Sequence, residues 1–199
     1  MGLQRGVALL LVGAWAFLWP VGAVPQSLTG GKARTPAPRI EILSLTRDAG
    51  GVSISFRLLH AFDKRIRDKL DSGLRVTFRH RVEVGRHRTF WFDRVAAQKK
   101  IMTSAILDRL TRQYSLRRVI NGGLVESLTT TDPDEMTTFM TRIDGIQLPL
   151  PAGLDRQRME VGVRSMLETR FFLFFPYDYD TGWAQQPLPP LPGENDHAP

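Results

Sequence analysis

The stretch LRVTFRHRVEV, Leu74 to Val84, decides how the chain is read. Leu74, Val76, Phe78, His80, Val82 and Val84 alternate with Arg75, Thr77, Arg79, Arg81 and Glu83. A period of two puts the first set on one face of a β-strand and the second on the other. One face is core; the other is a solvated, arginine-rich surface. Clean alternation of this kind belongs to antiparallel sheets with one wet face. Gly85 to Arg88 then makes a basic turn, and the aromatic run Phe90-Trp91-Phe92 follows.

Working back from this strand, FDKRIRDKL (Phe62 to Leu70) reads as a short helix. Asp63/Arg67 and Lys64/Asp68 stand at i, i+4, and Phe62, Ile66 and Leu70 form a narrow apolar stripe. Asp71-Ser72-Gly73 ends it. Before it, Val52, Ile54, Phe56 and Leu58 alternate with polar residues, and Asp48-Ala49-Gly50-Gly51 turns them back on a strand holding Ile40 and Ile42.

Working forward, Val95 to Ile120 admits two readings. Met102, Ile106, Leu110 and Tyr114 recur at i+4, as in a helix, yet share even parity, as on one strand face. Asn121-Gly122-Gly123 is a tight-turn signal, and Tyr114 to Ser127 is read as two strands joined by it. Asp132, Pro133 and Glu135 mark the start of a helix with Met136, Phe139, Met140 and Ile143 on its apolar face, ended by Gly145. Ile146 to Leu150, with its prolines, reads as an edge strand. Met159, Val161 and Val163 give another strand, running toward Phe171–Phe175. The elements predict a mainly β fold, an antiparallel β-sandwich-like domain with two short packed helices.

The flanks are different in kind. Arg5 precedes an uncharged apolar run, Gly6 to Trp19; Pro20 breaks it, and Val21-Gly22-Ala23 offers a cleavage site. This is the layout of a secretory signal, with an uncleaved anchor as the alternative. The expected organisation is a signal peptide over 1–23, a flexible linker over 24–38, one β-rich domain over 39–183 and a proline-rich disordered tail over 184–199. The sequence contains no Cys, which excludes disulfides, thiolate zinc sites, Cys nucleophiles and a cysteine lipid anchor. Gly6 in place of Ser or Thr argues against N-myristoylation.

The order of the pieces resembles a bacterial family. An export signal, a strand hairpin and a short helix ending in Gly73 lead to an outward-arginine strand and the WFD of Trp91–Asp93. LTRQYSL (Leu110–Leu116), the Asn-Gly-Gly turn and a Ser/Thr-led helix from about Ser127 to Ile143 complete it. Over about Ile40 to Arg164 this is similar to the domain of unknown function 4390, a family of small exported proteins. The chain departs at Trp91-Phe92, where members often carry two tryptophans, and in its Phe- and Tyr-Asp-rich end after Arg170. The resemblance implies the envelope of a Gram-negative-type bacterium, a gene encoded near those of two-component sensor kinases, and no catalytic residues to carry over.

Charge is unevenly placed. The whole chain is +7, and Asp63 to Arg118 alone holds 16 Lys/Arg against 6 Asp/Glu. Arg75, Arg79 and Arg81, extended by Arg86 and Arg88, are the candidate site for an anion or a partner. The expected partner is an envelope protein or an anionic membrane surface; the compartment disfavours nucleic acid. His60, His80 and His87 lack ligand spacing, so no metal or other cofactor is expected, and His80 reads as a hydrogen-bonded core histidine. Asp178-Tyr179-Asp180-Thr181-Gly182 looks like part of a calcium loop but lacks its third oxygen residue and its distant Glu, and reads as an Asp-rich turn. Tyr177, Tyr179 and Trp183 read as cover for the sheet end, with an exposed partner surface as the alternative. Ser127 reads as helix entry, and Asp93 and Asp108 as carboxylates of unknown separation, so no catalytic set emerges. Pro187–Pro192 has the composition of a polyproline ligand.

Overall fold

The computed structural model describes residues 36–86, 94–150, 159–172 and 175–190. Eleven elements run in the order β1 (Arg39–Arg47), β2 (Gly51–Leu59), α1 (Lys64–Asp71), β3 (Val76–Arg86), β4 (Arg94–Asp108), β5 (Gln113–Ile120), β6 (Gly123–Thr130), α2 (Pro133–Thr141), β7 (Arg142–Pro149), β8 (Met159–Phe172) and β9 (Phe175–Pro187). They form a three-stranded sheet, β1-β2-β7, and a six-stranded sheet, β6-β5-β4-β3-β8-β9. Every pairing is antiparallel. The sheets pack face to face, so the fold is mainly β and sandwich-like, as expected.

The smaller sheet cannot cover the larger one, and the helices complete the cover. Ile66 and Leu70 of α1 join Met136, Phe139 and Met140 of α2 in a core cluster with Phe78, Ala105 and Leu116. A second cluster is strand on strand: Val52, Ile54 and Phe56 against Val82, Ile101, Val161 and Val163. Both helices start where their chemistry directs. The Asp63 carboxylate accepts from the Ile66 N–H at 2.9 Å, and Asp132 accepts from the Asp134 N–H at 2.8 Å. Lys64 and Asp68 pair at 2.7 Å along α1.

Four details of the sequence reading are corrected and one open reading is settled. Ser127, read as helix entry, lies within β6, and α2 starts only after its Asp132 cap. Leu74 lies before β3 and is 55% exposed, because the strand begins at Val76. The ambiguous segment is strand: β4 and β5 turn back at Asp108–Arg112, leaving Leu110 95% exposed at the tip. The second helix stops at Thr141; Ile143 belongs to β7, buried opposite Phe56 of β2. Its extended partner strand outweighs the helical spacing of that one residue. Finally, β9 runs through Trp183 to Pro187, past the boundary where the sequence shows no periodicity, because β8 supplies hydrogen bonds that need none. The segment read as an export signal, Arg88, Trp91–Asp93 and the last residues of the proline stretch lie outside the described residues. Among the described residues no helix is long and apolar enough to cross a membrane, which leaves strands untested.

Candidate anion-binding cleft

Register builds the site. On the outer face of the large sheet Arg81 stands opposite Lys100 of β4 on one side and Arg164 of β8 on the other. Three cations thus sit abreast on adjacent strands, about 4.8 Å apart. Like charges placed directly opposite are destabilising. Two of the three are partly compensated: Arg81 pairs with Glu83, two residues along its own strand, and Arg164 pairs with Asp180 of β9. The Arg164 hydrogen bond holds the Asp180 carboxyl below its ordinary pKa. Lys100, and Arg79 one row away, have no carboxylate partner among the described residues.

The next row is mostly apolar. Arg79 lies between Met102 and Met166, Met102 faces Val119 of β5, and Val119 faces Leu124 of β6. Arg79 Nη1 reaches Met166 Sδ at 3.8 Å, its stem lying along the floor. An open cleft of about 520 Å³ lies over these rows, bounded by Arg79, Arg81, Lys100, Met102, Val119, Gly122, Arg164, Met166 and Asp178, with Leu124 just beyond it. One wall is the β5–β6 hairpin. Asn121 (φ 49°) and Gly122 (φ 89°) are both left-handed, as a two-residue hairpin turn of matching twist requires. Asn121 also accepts from the Lys100 N–H through its side chain at 3.0 Å and donates its own N–H to Lys100 O at 2.8 Å. The turn is therefore pinned beside the lysine.

On the far side of Arg81, the Trp183 ring lies over Gly162, where a Cβ would come within 3.1 Å of it. The Arg81 guanidinium stands 5.9 Å from the ring centroid. That contact fixes the arginine at the cleft margin.

The five sequence-selected arginines are not one cluster. Arg79 and Arg81 enter the cleft. Arg75 precedes β3 and lines a second groove with Lys69, Thr77 and Glu168, which Arg79 borders from the cleft side. Arg86 closes β3, half-buried, beside Glu160 and Gln185. Sequence reasoning missed Lys100 and Arg164, which come from neighbouring strands, and the apolar floor. Even parity of Lys100 and Met102 was the available signal, masked by the helical spacing of the same segment.

Beneath the sheet, the alternate residues of the same strands make a buried polar seam. His80, 1% exposed, meets Ser165 Oγ at 2.7 Å through Nδ1 and Thr103 Oγ1 at 3.4 Å through Nε2. Thr103 donates to Met140 O at 3.0 Å, so it accepts from His80; Ser165 then donates to Nδ1. A neutral imidazole satisfies all three groups. Burial first, and the charge of Arg118 second, push the His80 pKa down to about 3. Ser165 and His80 pair as a nucleophile and base would, yet both sit in the core. Among the described residues no group of three or more His, Asp or Glu could hold a metal. Asp108 accepts from the Leu110 and Thr111 N–H groups of its turn, at 2.8 and 3.3 Å. Asp180 likewise accepts from Gly182 N at 2.7 Å.

A family model described as a domain of unknown function (DUF4390) matches residues 36–170. The chain belongs to the DUF4390 family. The DUF4390 match takes in β1 through most of β8, and with them Arg79, Arg81, Lys100, Met102, Val119, Arg164 and Met166. Asp178, Asp180 and Trp183, on β9, fall outside it. No curated protein and no solved structure matches the chain.

Proposed function

We propose that this protein is an exported, non-enzymatic binding module of the bacterial envelope, and that its working surface is the outer face of the six-stranded sheet. The observation that carries the reading is the row Lys100–Arg81–Arg164, in register on three adjacent strands. A fold gains nothing by placing three cations abreast; an anionic partner turns that cost into affinity and faster encounter. The polar groups most like a catalytic pair, His80 and Ser165, are locked in the core and already hydrogen-bonded. The export signal and the family resemblance supply the setting, an accessory role beside a membrane signalling system.

The test is crosslinking in living cells with Arg79, Arg81 and Lys100 reversed to Glu. All three project outward; Arg81 also pairs with Glu83, so circular dichroism first checks that the variant is folded, and the reading then expects loss of the crosslinked envelope component. Undiminished recovery by the folded variant sinks it. A second reading, a peripheral protein of anionic membrane surfaces, is favoured by Leu124 and Val125, 55% and 61% exposed at the hairpin beside Lys100. It expects sedimentation with anionic but not neutral vesicles, lost at high salt.

A further inference from the structure

We infer that the cleft binds a single-chain amphiphile with an anionic headgroup, a refinement that rests on the anion-binding reading above. Two rows of the same sheet face carry the inference. The cationic row, Lys100–Arg81–Arg164, is flanked by the row Leu124–Val119–Met102–Arg79–Met166. A wholly polar anion would use the cations but leave Met102 and Val119 against water. A bare hydrocarbon would cover the apolar row but strip water from Lys100 and Arg79 without replacing it. A molecule with one charged end and one apolar end satisfies both rows.

The layout also orients it. Asp178 and Asp180 stand on β9, at one end of the cleft. Their charge disfavours an anion there and already partly compensates Arg164. The headgroup therefore sits over β3 and β4, against Arg79, Arg81 and Lys100. From there the row Met102–Val119–Leu124 leads straight across β4, β5 and β6 to the sheet edge, a path of about 10 Å at the usual strand spacing. Leu124, 55% exposed, ends that path in water with no cover among the described residues. The two methionines give a floor that adapts to a flexible chain. The cleft volume of about 520 Å³ falls within the roughly 300–1,000 Å³ typical of small-molecule sites.

The probes are dodecanoate and dodecyl phosphate, kept monomeric, titrated by calorimetry into the protein processed as the cell leaves it. Inorganic phosphate and neutral dodecyl maltoside are the controls. Both anionic amphiphiles should bind one to one, at least about tenfold more tightly than either control. Preference between them assigns a fatty-acid carboxylate or a lysophospholipid phosphate as the natural head. Val119→Asp should weaken binding by about tenfold or more, and Leu124→Glu, at an exposed edge position that folding does not depend on, should do the same in direction. Phosphate binding as tightly as dodecyl phosphate, with Leu124→Glu silent, would overturn the amphiphile and leave the anion surface standing. So would failure of every probe while reversal at Arg79, Arg81 and Lys100 still abolishes partner recovery. Equal binding of the neutral detergent overturns both readings.

Discussion

The two faces of β3 carry polar residues to opposite ends. On the inner face, His80 finds Ser165 and Thr103, and Arg118 of β5 points into the same seam. Arg118 gives Nη1 to Glu126 at 2.6 Å and Nη2 to Phe139 O and Arg142 O at 2.8 and 3.2 Å, with its guanidinium 4.5 Å from the Phe139 ring. It thereby supplies donors to the carbonyls at the end of α2, where a helix end otherwise lacks them. On the outer face, one residue away, Arg79 and Lys100 have no carboxylate or carbonyl partner for their side chains among the described residues. A polar group whose bonds are satisfied inside the fold is architecture; one left facing water beside like charges is available to a ligand. The same strand and similar residue types serve both purposes, and only register separates them.

The largest effect should come from the inner face. Arg118→Met removes donors to two backbone carbonyls and to Glu126, and should cost about 2–4 kcal/mol in urea unfolding. A loss below about 0.5 kcal/mol, the usual range of surface changes, would erase the distinction between the faces.

The next largest is a pH dependence from His80. Its folded pKa, about 3, lies below the ordinary 6.5. The unfolded chain therefore binds a proton between those values that the folded chain refuses, and stability falls as pH drops through that window. Above pH 6.5 the residue contributes no pH dependence; below pH 3 the loss is complete. Between pH 7.5 and 4.5 the wild type should lose about 2–3 kcal/mol more than His80→Gln. Parallel pH profiles for the two proteins would show that His80 protonates freely in the fold.

How much of this was legible follows from what each signal measures. Period-two alternation in Val76–Val84 reports burial on one side, so the strand, its core residues and the outward Arg79 and Arg81 could be read directly. His80 could be placed in the core by parity alone. Asn121-Gly122 reports backbone handedness, and the hairpin appears where that chemistry requires it. What could not be read is adjacency across strands. Nothing local to Lys100 or Arg164 says that they flank Arg81; that is a property of register, set by the whole sheet. The same limit explains Ile143, whose spacing fits α2 while its partner, Phe56, lies far away in sequence. It explains β9 as well, held by β8 rather than by any pattern of its own.

The smallest effect is the most discriminating. Lys100→Ser removes one of three abreast cations and no hydrogen bond of its side chain, since the turn contacts use only the Lys100 backbone. Stability should therefore stay within about 0.5 kcal/mol of wild type, with the sign toward stabilisation, because a like-charge neighbour of Arg81 has gone. Salt separates this cause from others. The repulsion acts between exposed groups and is screened as ionic strength rises. Wild type should gain stability as salt is raised, and the variant should gain less, whereas a lost structural contact would show the same salt response in both. If Lys100→Ser instead destabilises by more than about 1 kcal/mol, the lysine belongs with Arg118, as part of the fold. A near-neutral variant with a flattened salt response, and with weakened dodecyl phosphate binding, would mean that the outer row lowers stability in the free protein and contributes affinity in the complex.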